Sequence, residues 1–195
     1  MLQPSGARIN PVSAIIGLGS NLSSDQGSPR EILQAALDIL SQKGVEVQSV
    51  SRFYATPCFP EGAGPDYVNA AALLRVNDRM LNLLALLHEV EKTMGRERIQ
   101  RWGQRTLDLD LLAFGDEITP DIAGFLHWRD LSIDAQSKVA PKQLILPHPR
   151  LQDRAFVLVP MNDVAPDWVH PVTGHTTRQM LEALDASDVA QIKPL

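Results

Sequence analysis

The sequence predicts an α+β fold: a ferredoxin-like βαββαβ core, mostly antiparallel, with helices packed on one face and a C-terminal helical extension. Three observations predict it. Strand-like segments and segments of helical spacing follow one another in the order β-α-β-β-α-β. Ser, Pro and Gly punctuate the joins where helices begin and stop. With 195 residues, 44% of them hydrophobic, the chain can bury one full core. One domain is expected over residues 12–195, after a flexible leader at 1–11 and with an irregular insertion at 116–143. The face of the sheet away from the helices is expected to be open for ligands.

Each element has its own signal. Val12 to Asn21, VSAIIGLGSN, is a short apolar strand ending in a glycine turn. Ser28 and Glu31 form a capping box, and Pro29 suits the first helical position. Ile32, Leu33, Ala36, Leu37 and Leu40 give the helical stripe, and Gly44 ends it. Val45 to Thr56 is rich in β-branched and aromatic residues and reads as a strand. Pro57 to Asp66 is a loop by its Pro and Gly content. Tyr67 to Val76 is the next strand. Asn77 or Asp78 then caps a helix with Met80, Leu84, Leu87, Glu91 and Met94 on one line, closed by Gly95. Thr106 to Phe114 follows as a strand, with Leu107, Leu109, Leu111 and Ala113 on one face. Beyond it, helices are expected near Arg154–Val164 and Thr176–Leu184. Asp116 to Gln143, a mixture of Asp, Gly, Ser, Pro and Lys, reads as irregular.

Composition removes several function classes. The net charge is −5, which argues against a general nucleic-acid binder. The single cysteine, Cys58, allows no internal disulfide, and no Cys/His cluster has zinc spacing. No apolar run approaches the ~18 residues of a membrane span. The opening MLQPSGARIN lacks the apolar stretch of a signal peptide, so the cytoplasm is the expected compartment.

Chemistry concentrates in RWGQRTLDLDLLAFGD, Arg101 to Asp116. Asp108 and Asp110 share a strand face about 6.6 Å apart, where they repel each other. Such a pair can share a hard cation that also takes substrate phosphates; a solvated strand face is the plainer alternative. Arg96, Arg98, Arg101 and Arg105 crowd the same region with Trp102 and Gly103, and arginine forks suit phosphate. Arginines beside paired aspartates are what Mg-nucleotide chemistry needs; a solvated loop neutralising nearby acids is the alternative. There is no Walker-type Gly-Lys-Ser/Thr loop. His148 and Arg154 flank a Pro-bounded turn before a helix, a place suited to anions. Tyr67 and Asn69 share a strand face near Thr56 and Phe59, offering stacking and an amide to a flat heterocycle, or else simply packing in the core.

Together IIGLGSNL, SRFYATP, GPDYVNAA, RWGQRTLDLDLLAFGD and LPHPRLQDRAFVLVPMNDVAP resemble the 6-hydroxymethyl-7,8-dihydropterin pyrophosphokinase family of folate synthesis. The resemblance covers most of the chain, and RTLDLDLL after RWG is its most specific part. It implies that Asp108 and Asp110 bind two Mg²⁺ ions astride the ATP phosphates, and that Arg96 and Arg105 are catalytic. It places Arg98, Trp102, His148 and Arg154 at the nucleotide and its phosphates, and Leu111 and Leu144 at the adenine. Tyr67 and Phe156 would sandwich the pterin, Asn69 would read its edge, and Thr56 and Phe59 would help through their backbone. Glu91 would support the site from its helix. The implied reaction is attack of the pterin hydroxymethyl oxygen on the β-phosphorus of ATP, with AMP leaving. No side chain stands out as the general base. Loops Pro57 to Asp66 and Gly95 to Arg105 are expected to close over the substrates.

Three positions depart from the family pattern: Gln104 and Cys58 stand where proline is usual, and Pro149 replaces an aromatic residue often found after the histidine. Asp108, Asp110, Arg96 and Arg105 are all retained, which opposes a binding-only relative. An RNA-binding module shares the βαββαβ order, but Val12 to Asn21 has no aromatic residue and the chain is acidic. A kinase releasing ADP is distinguished by its product. Small-molecule substrates, no nucleic acid, no membrane and a monomeric state are expected.

Overall fold

The computed structural model describes residues 10–58, 64–95, 106–132, 135 and 139–195. The elements are β1 (Val12–Ser20), α1 (Pro29–Gln42), β2 (Glu46–Val50), β3 (Tyr54–Thr56), β4 (Tyr67–Val76), α2 (Met80–Thr93) and β5 (Asp108–Phe114). They continue with α3 (Ile122–Arg129), α4 (Ala155–Val164), α5 (Thr177–Glu182), α6 (Ala186–Ala190) and β6 (Lys193–Pro194). The sheet runs β5-β1-β4-β3-β6, with β2 also on β4, and every pairing is antiparallel. That is the expected βαββαβ core, with the second strand in two pieces. Among the described residues, no helix is long and apolar enough to cross a membrane.

Helix α1 begins as its sequence requires. The Glu31 carboxylate accepts the Ser28 N–H at 2.8 Å and the Ser28 hydroxyl at 2.6 Å. Its buried residues are Ile32, Leu33, Ala36, Leu37 and Leu40, the stripe read from spacing. Gly44 follows at φ +90°, where an L side chain would be strained. With α2, this helix covers one face of the sheet, over a core that includes Ile16, Leu18, Leu74, Leu109 and Leu111.

The structure differs from the sequence reading at five places. The segment Val45–Thr56 is not one strand, because Ser51 interrupts it. The Ser51 hydroxyl, not a strand carbonyl, accepts the Ala71 N–H at 2.9 Å. In α2 the N-cap is Arg79, with the Asp78 carboxylate taking the Arg79 N–H and the Asn82 amide. Its buried line is Leu83, Leu87, Val90 and Glu91, one position off the expected Leu84. The insertion contains α3, which periodicity missed because it buries only Phe125. Helix α6 and the short β6 were not foreseen either.

The fifth difference concerns the second face of the sheet. Leu151, Val157, Leu158, Met161 and Met180, from the C-terminal segment, pack on Ile15, Ala71, Leu112 and Ala113. Each fully enclosed side chain there contributes about 1.5–3 kcal/mol. The C-terminal extension therefore covers part of the face that was expected to be open, and among the described residues Asp110, at the other end of that face, remains exposed. Ala113 lies in this second core and not beside Leu111. The register steps from Ile16↔Leu111 to Ile15↔Ala113, so Leu112 is an extra residue in β5 that shifts the alternation.

Candidate active site

Strand register brings the site together. Asp108 faces Gly19, Gly19 faces Asn69, and Asn69 faces Tyr54, giving one row across β5, β1, β4 and β3. Asp110 faces Gly17 in the next row. Directly opposed residues share a face, and strands lie about 4.8 Å apart, so Asp108 and Asn69 are separated by roughly 10 Å. The glycine between them is a steric requirement. A Cβ at Gly19 would come within 2.9 Å of Asn69 Oδ1.

The polar end of this row is buried and hydrogen-bonded. Asn69 is 8% exposed and donates from Nδ2 to Thr56 Oγ1 at 2.6 Å. Thr56 is also buried, and it pairs directly with the half-buried Tyr67. Spending the Asn69 amide N–H on Thr56 leaves its Oδ1 over Gly19. The loop ends here are tied as well. The Asn21 amide donates to the Pro65 carbonyl at 3.3 Å, and the Cys58 N–H donates to the Asp66 carboxylate at 3.2 Å.

On the other side, the backbone of His148 donates to the Leu112 carbonyl at 2.8 Å, which lays the 148–154 turn along the outer edge of β5. The imidazole Nδ1 accepts the Arg150 N–H at 3.2 Å. A neutral ring in that bond carries its proton on Nε2. Burial pulls the His148 pKa down to about 3; the Arg154 charge acts in the same sense, and Asp108 opposes it. Burial also lowers the Arg154 pKa, against the pull of Asp110 first among the acids and Asp108 after it. His148, Arg154 and both aspartates thus share one electrostatic neighbourhood. The Arg154 guanidinium lies 5.6 Å from the centre of the Phe156 ring, which is 40% exposed at the start of α4.

Other expected residues have side chains that do not share the aspartates' face. Glu91 is 2% exposed, and its Oε1 accepts the Leu109 N–H at 2.8 Å, bracing β5 between the two aspartates. Leu111 is buried in the helix-side core, and Leu144 packs against that core. Their side chains are thus on the opposite side of the sheet from the aspartates. Phe59, Arg96, Arg98, Arg101, Trp102, Gln104 and Arg105 lie outside the described residues.

Sequence reasoning missed Gly17, Gly19 and Asp163. The glycines were visible in IIGLGSNL, but only register shows what they face. The Asp163 carboxylate takes the Arg52 side chain at 2.9 and 3.1 Å and the Tyr54 hydroxyl at 2.8 Å, across more than 100 residues. Burial opposes its ionisation, but the Arg52 and Tyr54 bonds outweigh this and hold the carboxyl below its usual range. Burial, followed by the bond to Asp163, pushes the Tyr54 phenol up to about 12.

A family model described as 7,8-dihydro-6-hydroxymethylpterin-pyrophosphokinase matches residues 15–166, which include every one of these described side chains. The chain belongs to that family. A relative from Synechocystis sp., named 2-amino-4-hydroxy-6-hydroxymethyldihydropteridine pyrophosphokinase, is 35% identical over 93% of this chain and 80% of its own length. One of the same name from Haemophilus influenzae is 36% identical over 82% and 86%. Among solved structures, a Plasmodium falciparum HPPK-DHPS chain superposes with a TM-score of 0.62 at 17% identity, a likeness of fold. It covers 91% of this chain, which spans 45% of that longer one.

Proposed function

We infer that the protein transfers the diphosphate of ATP to the hydroxymethyl group of 6-hydroxymethyl-7,8-dihydropterin and releases AMP, a step of folate synthesis. Family membership supports the reaction. The observation that supports the site is the row Asp108–Gly19–Asn69, with Asp110 in the next row, which sets two carboxylates and the Asn69 amide on one face of one sheet.

Asp108 and Asp110 would hold two Mg²⁺ ions. Two carboxylates fit a cation that completes its shell with phosphate and water oxygens. Gly17 and Gly19 add no side-chain bulk to the face opposite them. When bound, such ions supply charge neutralisation at the phosphates. Arg154 adds a fixed positive charge beside them. Neutral His148 offers its Nε2–H as a donor to the nucleotide, and Arg98 and Trp102 join it there by the family pattern. Arg96 and Arg105 are assigned the charge that develops on transfer. Leu111 lies between Leu109, whose N–H goes to Glu91, and Leu112, whose carbonyl goes to His148. An adenine contact at Leu111 would therefore use the backbone of the strand edge, with Leu144 alongside.

Tyr67 and Phe156 are assigned the two faces of the pterin, Asn69 its edge, and Thr56 and Phe59 the backbone contacts. In transfer, the pterin oxygen bonds to the β-phosphorus as the bond from that phosphorus to the α-bridging oxygen breaks. The hydroxyl proton leaves to solvent. The reading takes the protein as a monomer acting on two small molecules in the cytoplasm. The test is phosphorus NMR with Mg²⁺, ATP and the pterin. Pterin-dependent AMP with a diphosphate ester supports the reading. Release of ADP, or binding of both substrates without turnover, overturns it.

A further inference from the structure

Asp163 and Phe156 stand seven residues apart in α4. Two helical turns place them on one side of the helix, about 10 Å apart along its axis. The Phe156 end faces the site beside Arg154. The Asp163 end is bound to the start of β3 by four hydrogen bonds. Arg52 donates its backbone N–H at 3.2 Å, its Nε at 3.1 Å and its Nη2 at 2.9 Å, and Tyr54 donates its hydroxyl at 2.8 Å. Tyr54 is 2% exposed, so its phenol has no room to swing away. Along the same strand, Tyr54 pairs with Asn69 and Thr56 with Tyr67. Beside the apolar contacts of Val157, Leu158 and Met161 with Ala71 and its neighbours, the Asp163 carboxylate is therefore the polar tie between the helix that carries Phe156 and the strands that carry Tyr67 and Asn69.

The hydrogen-bond ladder of α4 loses one rung at Phe156. Pro160 lies inside α4 and has no N–H, so the Phe156 carbonyl lacks its usual donor four residues on. What docks α4 on the sheet then decides where its first turn sits.

We propose that Asp163 is a positioning residue, which holds α4 against β3 and so sets the gap between Phe156 and Tyr67 that receives the pterin; this rests on the pterin assignment above. The test is steady-state kinetics of the full chain with Asp163→Ala, Asp163→Asn and Tyr54→Phe. In Asp163→Ala the KM for the pterin rises at least fivefold at saturating ATP, while kcat and the KM for ATP stay within about twofold. Tyr54→Phe keeps the ring packed and raises the same KM at least threefold. Asp163→Asn keeps the shape and an acceptor oxygen, and recovers part of the loss. A lowered Tm with an unchanged pterin KM overturns the proposal, as does an equal loss for both substrates. If Asp163→Ala does not fold, Tyr54→Phe decides by the same criterion. Wild-type protein that makes no pterin-dependent AMP in this assay overturns the functional reading itself, and the proposal falls with it.

Discussion

Asn69 donates to Thr56 over 2.6 Å, and both side chains are buried at the edge of the candidate site. A bond this short between buried partners fixes which way the amide faces. In Thr56→Val the shape is kept and the acceptor is lost, leaving an amide N–H unsatisfied. That costs about 1–3 kcal/mol. The urea midpoint should fall accordingly, and the pterin KM should rise while the ATP KM does not. A midpoint equal to wild type would show that the bond orients nothing.

The glycine beside that amide gives a second prediction. Gly19→Ala puts a methyl 2.9 Å from Asn69 Oδ1, closer than real Cβ atoms come. The amide must turn away from Thr56 or the strands must part. Pterin affinity should drop about tenfold in a fluorescence titration. Gly17→Ala is the control, because a Cβ there would meet only the Leu112 side chain at 3.5 Å, ordinary contact. Equal effects at Gly17 and Gly19 would refute the steric account.

How much of this was legible in the sequence depended on whether the signal was local. The capping box of α1 and its buried stripe are set by residues within one helix, and both were read correctly. The aspartate pair was legible because alternation in one strand places it. The row through Gly19 was not, since register between β5, β1 and β4 is a property of three separate segments. Ala113 was misplaced because a bulge costs one residue that no period reveals. Helix α3 escaped because only Phe125 is buried in it. The Phe125 ring meets that of His170, 45 positions away in the chain. The partners of Asp163 were equally remote.

His170 supplies a pH prediction. It is fully buried, its ring lies 5.3 Å from Phe125 and 5.6 Å from Trp168, and its Nδ1 accepts the Val172 N–H at 3.1 Å. Burial pulls its pKa from 6.5 down to about 4. Below pH 6.5 the unfolded chain takes up a proton that the folded chain refuses. Stability should therefore be full above about pH 6.5 and decline as pH falls towards 4, by up to about 3 kcal/mol from this group. Urea titrations at pH 7.5, 5.5 and 4.5 measure the slope. His170→Gln should start less stable at pH 7.5 and show a shallower decline. A slope identical to wild type would assign the acid sensitivity to other groups.

The aspartate pair separates stability from function most directly. Asp108 and Asp110 lie on one face, two residues apart on an edge strand, the first half-buried and the second exposed. Like charges so placed repel, and aspartate is a poor strand residue. Asp110→Asn should therefore change Tm only slightly when Mg²⁺ and ATP are absent, because relief of that repulsion is offset by loss of the Asp110 charge that pulls on the buried Arg154 guanidinium. The same substitution removes an anionic oxygen from the assigned cation site. Pterin-dependent AMP should fall at least a hundredfold, and chelation of Mg²⁺ from the wild type should abolish it. Mg²⁺ with ATP should raise the Tm of the wild type and leave that of Asp110→Asn nearly where it was. If the variant were less stable and still active, the pair would belong to the fold and not to the chemistry. A variant that is stable, inactive and blind to Mg²⁺-ATP identifies the repulsion as a cost met by the cations that arrive with the nucleotide.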